Sequence, residues 1–132
     1  MKVNEFFGVY VHETRATPYA VAIASGIKPI ETRTRDTIGN LVGEKVLIIR
    51  TRDGKPSDVV GSAVISEKRF CSAAELDSMR NQTLIPPGSK FDCNGKGKWC
   101  YTMKDPVLFE NPILLKYFNI IRKTRSFAVL SV

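Results

Sequence analysis

The sequence predicts an α+β fold, a small mixed β-barrel of about six short strands with two or three short helices at its ends. Three observations carry this expectation. Runs rich in β-branched and aromatic residues recur between Gly- and Pro-containing turns, helix-start signals occur at few places, and strands do not alternate with helices as a parallel sheet requires.

Taken in order, Phe6 to His12 is aromatic and β-branched and reads as the first strand. Thr17 has N-cap chemistry, Pro18 suits a first helical position and Gly26 can take the left-handed conformation past a helix end, so a short helix runs from Pro18 to Ser25. Ile30 to Arg35 alternates, sending Glu31, Arg33 and Arg35 to one side of a strand. Gly39-Asn40 and Gly43 mark turns before a strand from Lys45 to Arg52, whose Val-Leu-Ile-Ile run implies burial on both faces. Val59 to Ser66 is the next strand, with Gly61 placed for a bulge or a barrel corner. Ser72 and Glu75 form a capping box that starts a helix over Ala73 to Arg80. Asn81 to Lys98 is rich in Pro, Gly and Asn and too long for an ordinary connection, as functional loops often are. Trp99 to Met103, Val107 to Glu110 and Phe127 to Leu130 read as strands, and Ile113 to Ile121 fits a strand or a short helix.

A chain of 132 residues with 43% hydrophobic content suffices for one packed core, so a single domain over 1–132 is expected. No apolar run approaches the ~18 residues that span a bilayer, and the first residues resemble neither a secretory signal nor a lipidation site. Cytoplasmic residence without membrane attachment follows as the expectation. A formal charge of +7 and a pI near 9.5 favour polyanionic partners. Three cysteines without a C-x-x-C pair, and His12 as the single histidine, argue against a structural zinc site and leave no signature for a Cys/His or Ser/His/Asp centre. No cofactor or metal is implied.

The most informative segment is Ser25-Gly26-Ile27-Lys28-Pro29-Ile30-Glu31-Thr32-Arg33-Thr34-Arg35. Strand residues two apart are separated by roughly 6.6 Å, so Lys28, Glu31 and Arg33 gather near one helix end. An ion pair is the plain reading, and at a surface it would contribute only about 0–1 kcal/mol. The pattern Gly26-x-Lys28-x-x-Glu31-x-Arg33, preceded by Pro18-Tyr19-Ala20 and followed by Val42-Gly43-Glu44-Lys45-Val46, resembles the signature of the ASCH domain, a branch of the PUA-like superfamily. The later stretch Trp99 to Ile113 is similar to that family's downstream strand pair.

This resemblance implies a PUA-like barrel with a cationic cleft beside the first helix that binds RNA or a modified nucleotide. Lys28 and Arg33 match the family's basic positions and Glu31 its acidic one. Lys28 would then meet phosphate, Arg33 would read phosphate or a base edge, and Glu31 would orient both or accept from a base amine. Gly26 and Arg35 flank the group, and Tyr19, Trp99 and Tyr101 are candidates for stacking on a base, with at most one of the three expected in the cleft.

Some ASCH proteins resemble amidohydrolases acting on acetylated cytidine through a G-x-K-T-x-T-x-R pattern; here Pro29 and Glu31 occupy the two threonine positions. As an enzyme, an amidohydrolase or a ribonuclease, the chain would use Glu31 as general base and Lys28 to stabilise developing negative charge. A third reading is a protein-docking adaptor, for which the sequence names no partner. Binding ranks ahead of amidohydrolysis, and amidohydrolysis ahead of RNA cleavage.

Overall fold

The computed structural model of the protein describes residues 4–132. In chain order the elements are β1 (Glu5–His12), α1 (Tyr19–Ala24), β2 (Ile30–Arg33), β3 (Lys45–Arg52), β4 (Lys55–Cys71), α2 (Ala73–Ser78), α3 (Arg80–Thr83), β5 (Lys98–Leu114), β6 (Asn119–Lys123) and β7 (Phe127–Ser131). The strands form one mixed seven-stranded sheet in the order β2-β5-β4-β3-β1-β7-β6, in which β1 and β3 are parallel and the other pairs antiparallel. The α+β architecture expected from sequence is the one present, with one strand more than the about six anticipated.

The hydrogen-bonded ladder does not close: β2 and β6 are its edges. A side chain reaches across instead, the Arg33 Nη2 of β2 donating to the backbone carbonyl of Tyr10 on β1 at 2.7 Å. α1 sits over the sheet and packs Ile23 and Ala24 with Val9, Ile48, Val60 and Met103 in one buried cluster. Ile49, Val59 and Leu130 form a second cluster with Leu47 and Phe109 partly buried against it, so Ile48 and Ile49 bury on opposite faces as their run requires. At Gly61 a Cβ would lie 2.1 Å from the Val107 carbonyl oxygen and 2.7 Å from Ala24 Cβ, and the strand register shifts there. The absence of a side chain lets α1 and β5 both approach β4.

Several boundaries moved for local reasons. α1 begins one residue later than expected, with Pro18 rather than Thr17 at its cap and no side-chain cap bond. Thr17 Oγ1 is engaged by Thr14 and His12 at 2.7 and 3.1 Å, while the Val21 N–H donates to Glu13 Oε1 at 2.9 Å. Gly26 does take the left-handed conformation, at φ +85°. β2 ends at Arg33; Asp36 just beyond it accepts from the Tyr101 hydroxyl at 2.7 Å and from Lys68 at 2.6 Å, which pins the turn.

The capping box of Ser72 and Glu75 is formed, but the helix breaks at Met79 (φ −110°, ψ 15°) into α2 and α3. The two strands expected at Trp99–Met103 and Val107–Glu110 are one strand, β5. Asp105 (φ +50°) and Pro106 stand together opposite Ala63, a bulge that accommodates a residue with no N–H to donate. The ambiguous Ile113–Ile121 stretch ends β5, makes a 3₁₀ turn at Leu115–Tyr117 and starts β6. Among the described residues, no helix is long and apolar enough to cross a membrane.

Candidate functional site

Where the sheet is bridged by Arg33, a cavity of about 200 Å³ opens between the end of β1, α1, β2 and the connection from α3 to β5. The end of β1 brings Tyr10, Val11 and His12, α1 brings Tyr19, and the segment after the glycine turn brings Lys28, Glu31, Thr32 and Arg33. Ile85, Phe91 and Lys98 complete the wall from the long connection. Arg80 clamps that connection, donating to the Ile85 carbonyl at 2.9 Å and to Asp92 Oδ1 at 2.9 Å. Hydrogen bonds from Arg80 and from the Gly88 and Cys93 backbone hold the Asp92 carboxyl well below the usual carboxylate range.

Lys28 is fully buried. Its ammonium donates to the carbonyls of Thr83 and of Ile30, the latter at 3.0 Å, stands 3.7 Å from Glu31 Oε1 and lies 4.8 Å from the centre of the Tyr19 ring. Burial lowers its pKa, with the Glu31 carboxylate opposing. Glu31, 7% exposed, accepts from Arg33 Nη2 at 3.1 Å and from the Thr32 N–H at 3.2 Å. Arg33 Nε is buried and has no hydrogen-bond partner. Lys98 Nζ donates to the Phe91 carbonyl at 2.6 Å, and burial lowers its pKa too.

The aromatic wall is a contiguous set. His12 and Phe91 rings are 4.6 Å apart, Phe91 meets Tyr19 edge-on at 5.8 Å, and His12 and Tyr19 are separated by 6.4 Å. The Tyr19 hydroxyl donates to the Leu84 carbonyl at 3.4 Å, and burial, then Glu31, raises its pKa. The site therefore offers ring surfaces beside a buried carboxylate held between two cations.

Three crystal structures share this architecture. ASCH from Zymomonas mobilis superposes with a TM-score of 0.61 and 19% identity, covering 83% of this chain and 74% of that one. Two mutant forms of the same protein give TM-scores of 0.62 and 0.60 at 20% and 19% identity, covering 83% of this chain in each case and 75% and 76% of theirs. The chain has the ASCH fold. No protein-family model matches the sequence, and no curated protein matches it.

Within this ASCH fold the sequence-selected residues separate into two groups. Lys28, Glu31, Arg33 and Tyr19 come together on the cavity. Tyr101 does not: it is fully buried on β5, spends its hydroxyl on Asp36, and burial raises its pKa. Trp99 stacks edge-on with Phe70 at 5.5 Å, with Lys68 over its ring, away from the cavity. Arg35 lies beyond the end of β2 and is exposed, and Gly26 acts on the backbone, turning the chain after α1 so that Lys28 points inward.

Sequence reasoning gave no role to Tyr10, Ile85 or Phe91 and selected none of His12, Thr32 and Lys98 for the cleft, yet all six line the cavity. The length of the Asn81–Lys98 connection was the available signal for Ile85 and Phe91. Cys71 and Cys100 are buried thiols and Cys93 is half-buried; burial pushes Cys100 up to about 12. Among the described residues, no group of three His, Cys, Asp or Glu side chains could hold a metal ion.

Proposed function

We propose that the chain, as one ASCH-type domain over 1–132, binds a nucleotide or a short single-stranded RNA by seating one base in the cavity beside α1. The observation that carries this reading is the convergence of Lys28, Glu31, Arg33 and Lys98 with the Tyr19, His12 and Phe91 rings on one opening. Three basic side chains against one carboxylate give that opening a cationic balance. At about 200 Å³ it is smaller than the ~300–1,000 Å³ of a drug-sized pocket, which suits one ring system and not a folded chain.

Glu31 would accept from an exocyclic base amine, and the unpartnered Arg33 Nε is a donor that a bound acceptor would satisfy. Lys28 has both carbonyl partners engaged and no exposure, so its part is to hold Glu31 and set the local field. Direct phosphate contact then falls to Arg33. Isothermal titration with the common ribonucleoside monophosphates tests the reading. Binding of at least one, lost in a folded Arg33→Ala variant, is expected; no binding by any of them, or full binding by the variant, contradicts it.

A second reading, hydrolysis of an acylated nucleoside, draws on one specific feature: a buried lysine whose pKa burial lowers, 3.7 Å from a carboxylate. Thr32 supplies a hydroxyl at the same cavity. Mass spectrometry after incubation with acetylated cytidine, and with RNA for the ribonuclease version, decides it. Unchanged substrates in both tubes, with protein that still binds a nucleotide, remove catalysis.

A further inference from the structure

We infer that a second, basic groove continues the cavity and takes the phosphates of a single-stranded polynucleotide whose base occupies the cavity, so that the ligand is a chain and not a free mononucleotide. The inference rests on the nucleotide reading of the cavity and goes beyond it in naming where the backbone runs.

The groove, about 590 Å³, lies between the turn joining β3 to β4, at Gly54 and Pro56, and the turn joining β6 to β7, at Lys123, Thr124 and Arg125. Tyr10 lines both the groove and the cavity. It also joins them through its backbone: its N–H donates to the Ser126 carbonyl at 3.0 Å and its carbonyl accepts from Arg33 at 2.7 Å. One residue thus ties the basic turn to the arginine that borders Glu31.

The groove's lining has no acidic side chain. Lys123 and Arg125 are exposed, and neither forms an ion pair with an acid among the described residues. The turn that presents them is ordered by its own hydrogen bonds, Thr124 Oγ1 accepting from the N–H groups of Ser126 and Phe127 at 3.0 and 3.1 Å. Unneutralised cations on a fixed turn, in a groove that shares Tyr10 with a ring-lined cavity, match an alternation of phosphate and base. A run of acidic side chains alone would find the cations but carries no ring to seat in the cavity.

The test uses the full chain, with fluorescence anisotropy of a fluorescein-labelled oligocytidylate of about six nucleotides and calorimetry with cytidine monophosphate. The Lys123→Glu/Arg125→Glu double variant changes only exposed side chains. Its oligonucleotide affinity is expected to fall at least about tenfold at low salt, and its salt slope to be shallower by about 1.4, at ~0.7 per phosphate contact on a single strand. Cytidine monophosphate binding is expected to be unchanged.

Unaltered oligonucleotide affinity and slope in the double variant overturn the groove. So does a wild-type protein that binds the oligonucleotide no more tightly than cytidine monophosphate, a result that leaves the cavity reading standing. Displacement of the oligonucleotide by polyglutamate as readily as by unlabelled oligonucleotide also overturns it, since the site would then be a general polyanion surface. If none of the common ribonucleoside monophosphates binds, and the oligonucleotide does not bind either, the cavity reading fails and the groove falls with it.

Discussion

Replacing Lys28 with methionine probes the group on which the cavity is built. The methionine keeps the unbranched stem but removes the ammonium, leaving the Ile30 and Thr83 carbonyls without that donor and Glu31 with Arg33 as its remaining ion-pair partner. Each buried acceptor left unpaired costs about 1–3 kcal/mol. Removing one partner of a buried ion pair costs about 3–5 kcal/mol, lessened here because Arg33 still neutralises the carboxylate. The return of the lysine's own desolvation offsets part of the total, so a net loss of about 2–4 kcal/mol in unfolding free energy is expected from urea denaturation at neutral pH.

The pH dependence has a definite sign. Burial depresses the Lys28 pKa in the folded state, so between that value and the unfolded value of ~10.4 the unfolded chain holds the proton more. Stability therefore rises with pH across this window, and the advantage of the native protein over Lys28→Met grows as pH climbs toward 10. A loss below about 0.5 kcal/mol with no such growth would mean that the lysine is solvated and the buried cluster is not there.

Phe91→Ala removes one wall of the cavity and should lower nucleotide affinity about tenfold, within the ~1–3 kcal/mol of a stacked base, as measured by calorimetry on protein that unfolds normally. Gly61→Ala places a Cβ 2.1 Å from the Val107 carbonyl oxygen and should cost about 2–3 kcal/mol, read from the urea midpoint. Asp92→Asn weakens the Arg80 clamp and should speed amide hydrogen exchange across Ile85–Phe91. Because the Asp92 carboxyl is held low, the native protein's advantage over that variant should be full at neutral pH and vanish as pH falls below ~3.9 and through the depressed value.

The elements that local rules specify were legible in the sequence: the capping box at Ser72 and Glu75, the left-handed Gly26, the two-sided burial of Ile48 and Ile49 and the bulge at Gly61. What failed were features set by partners far along the chain. Alternation alone put Arg35 on the strand with Glu31 and Arg33, but the grip of Lys68 and Tyr101 on Asp36 ends β2 earlier. Tyr19, Trp99 and Tyr101 look alike as aromatic candidates, and only the fold assigns the first to the cavity, the second to Phe70 and the third to Asp36. His12 and Phe91 lie 79 positions apart in sequence (91 − 12) and meet only when the Arg80 clamp folds the connection back over β1. Lys28 was legible as a member of the charged cluster but not as a buried donor, because its carbonyl partner at Thr83 belongs to α3.

In the proposed complex, the charged group after α1 and the rings of the long connection face one ligand. A backbone amide chemical-shift titration with cytidine monophosphate tests it most directly. Shifts are expected to concentrate at Tyr10–His12, Tyr19, Glu31–Arg33, Ile85, Phe91 and Lys98 and to saturate together. Shifts scattered over the surface, or centred on Trp99 and Phe70 with those amides unmoved, would contradict it.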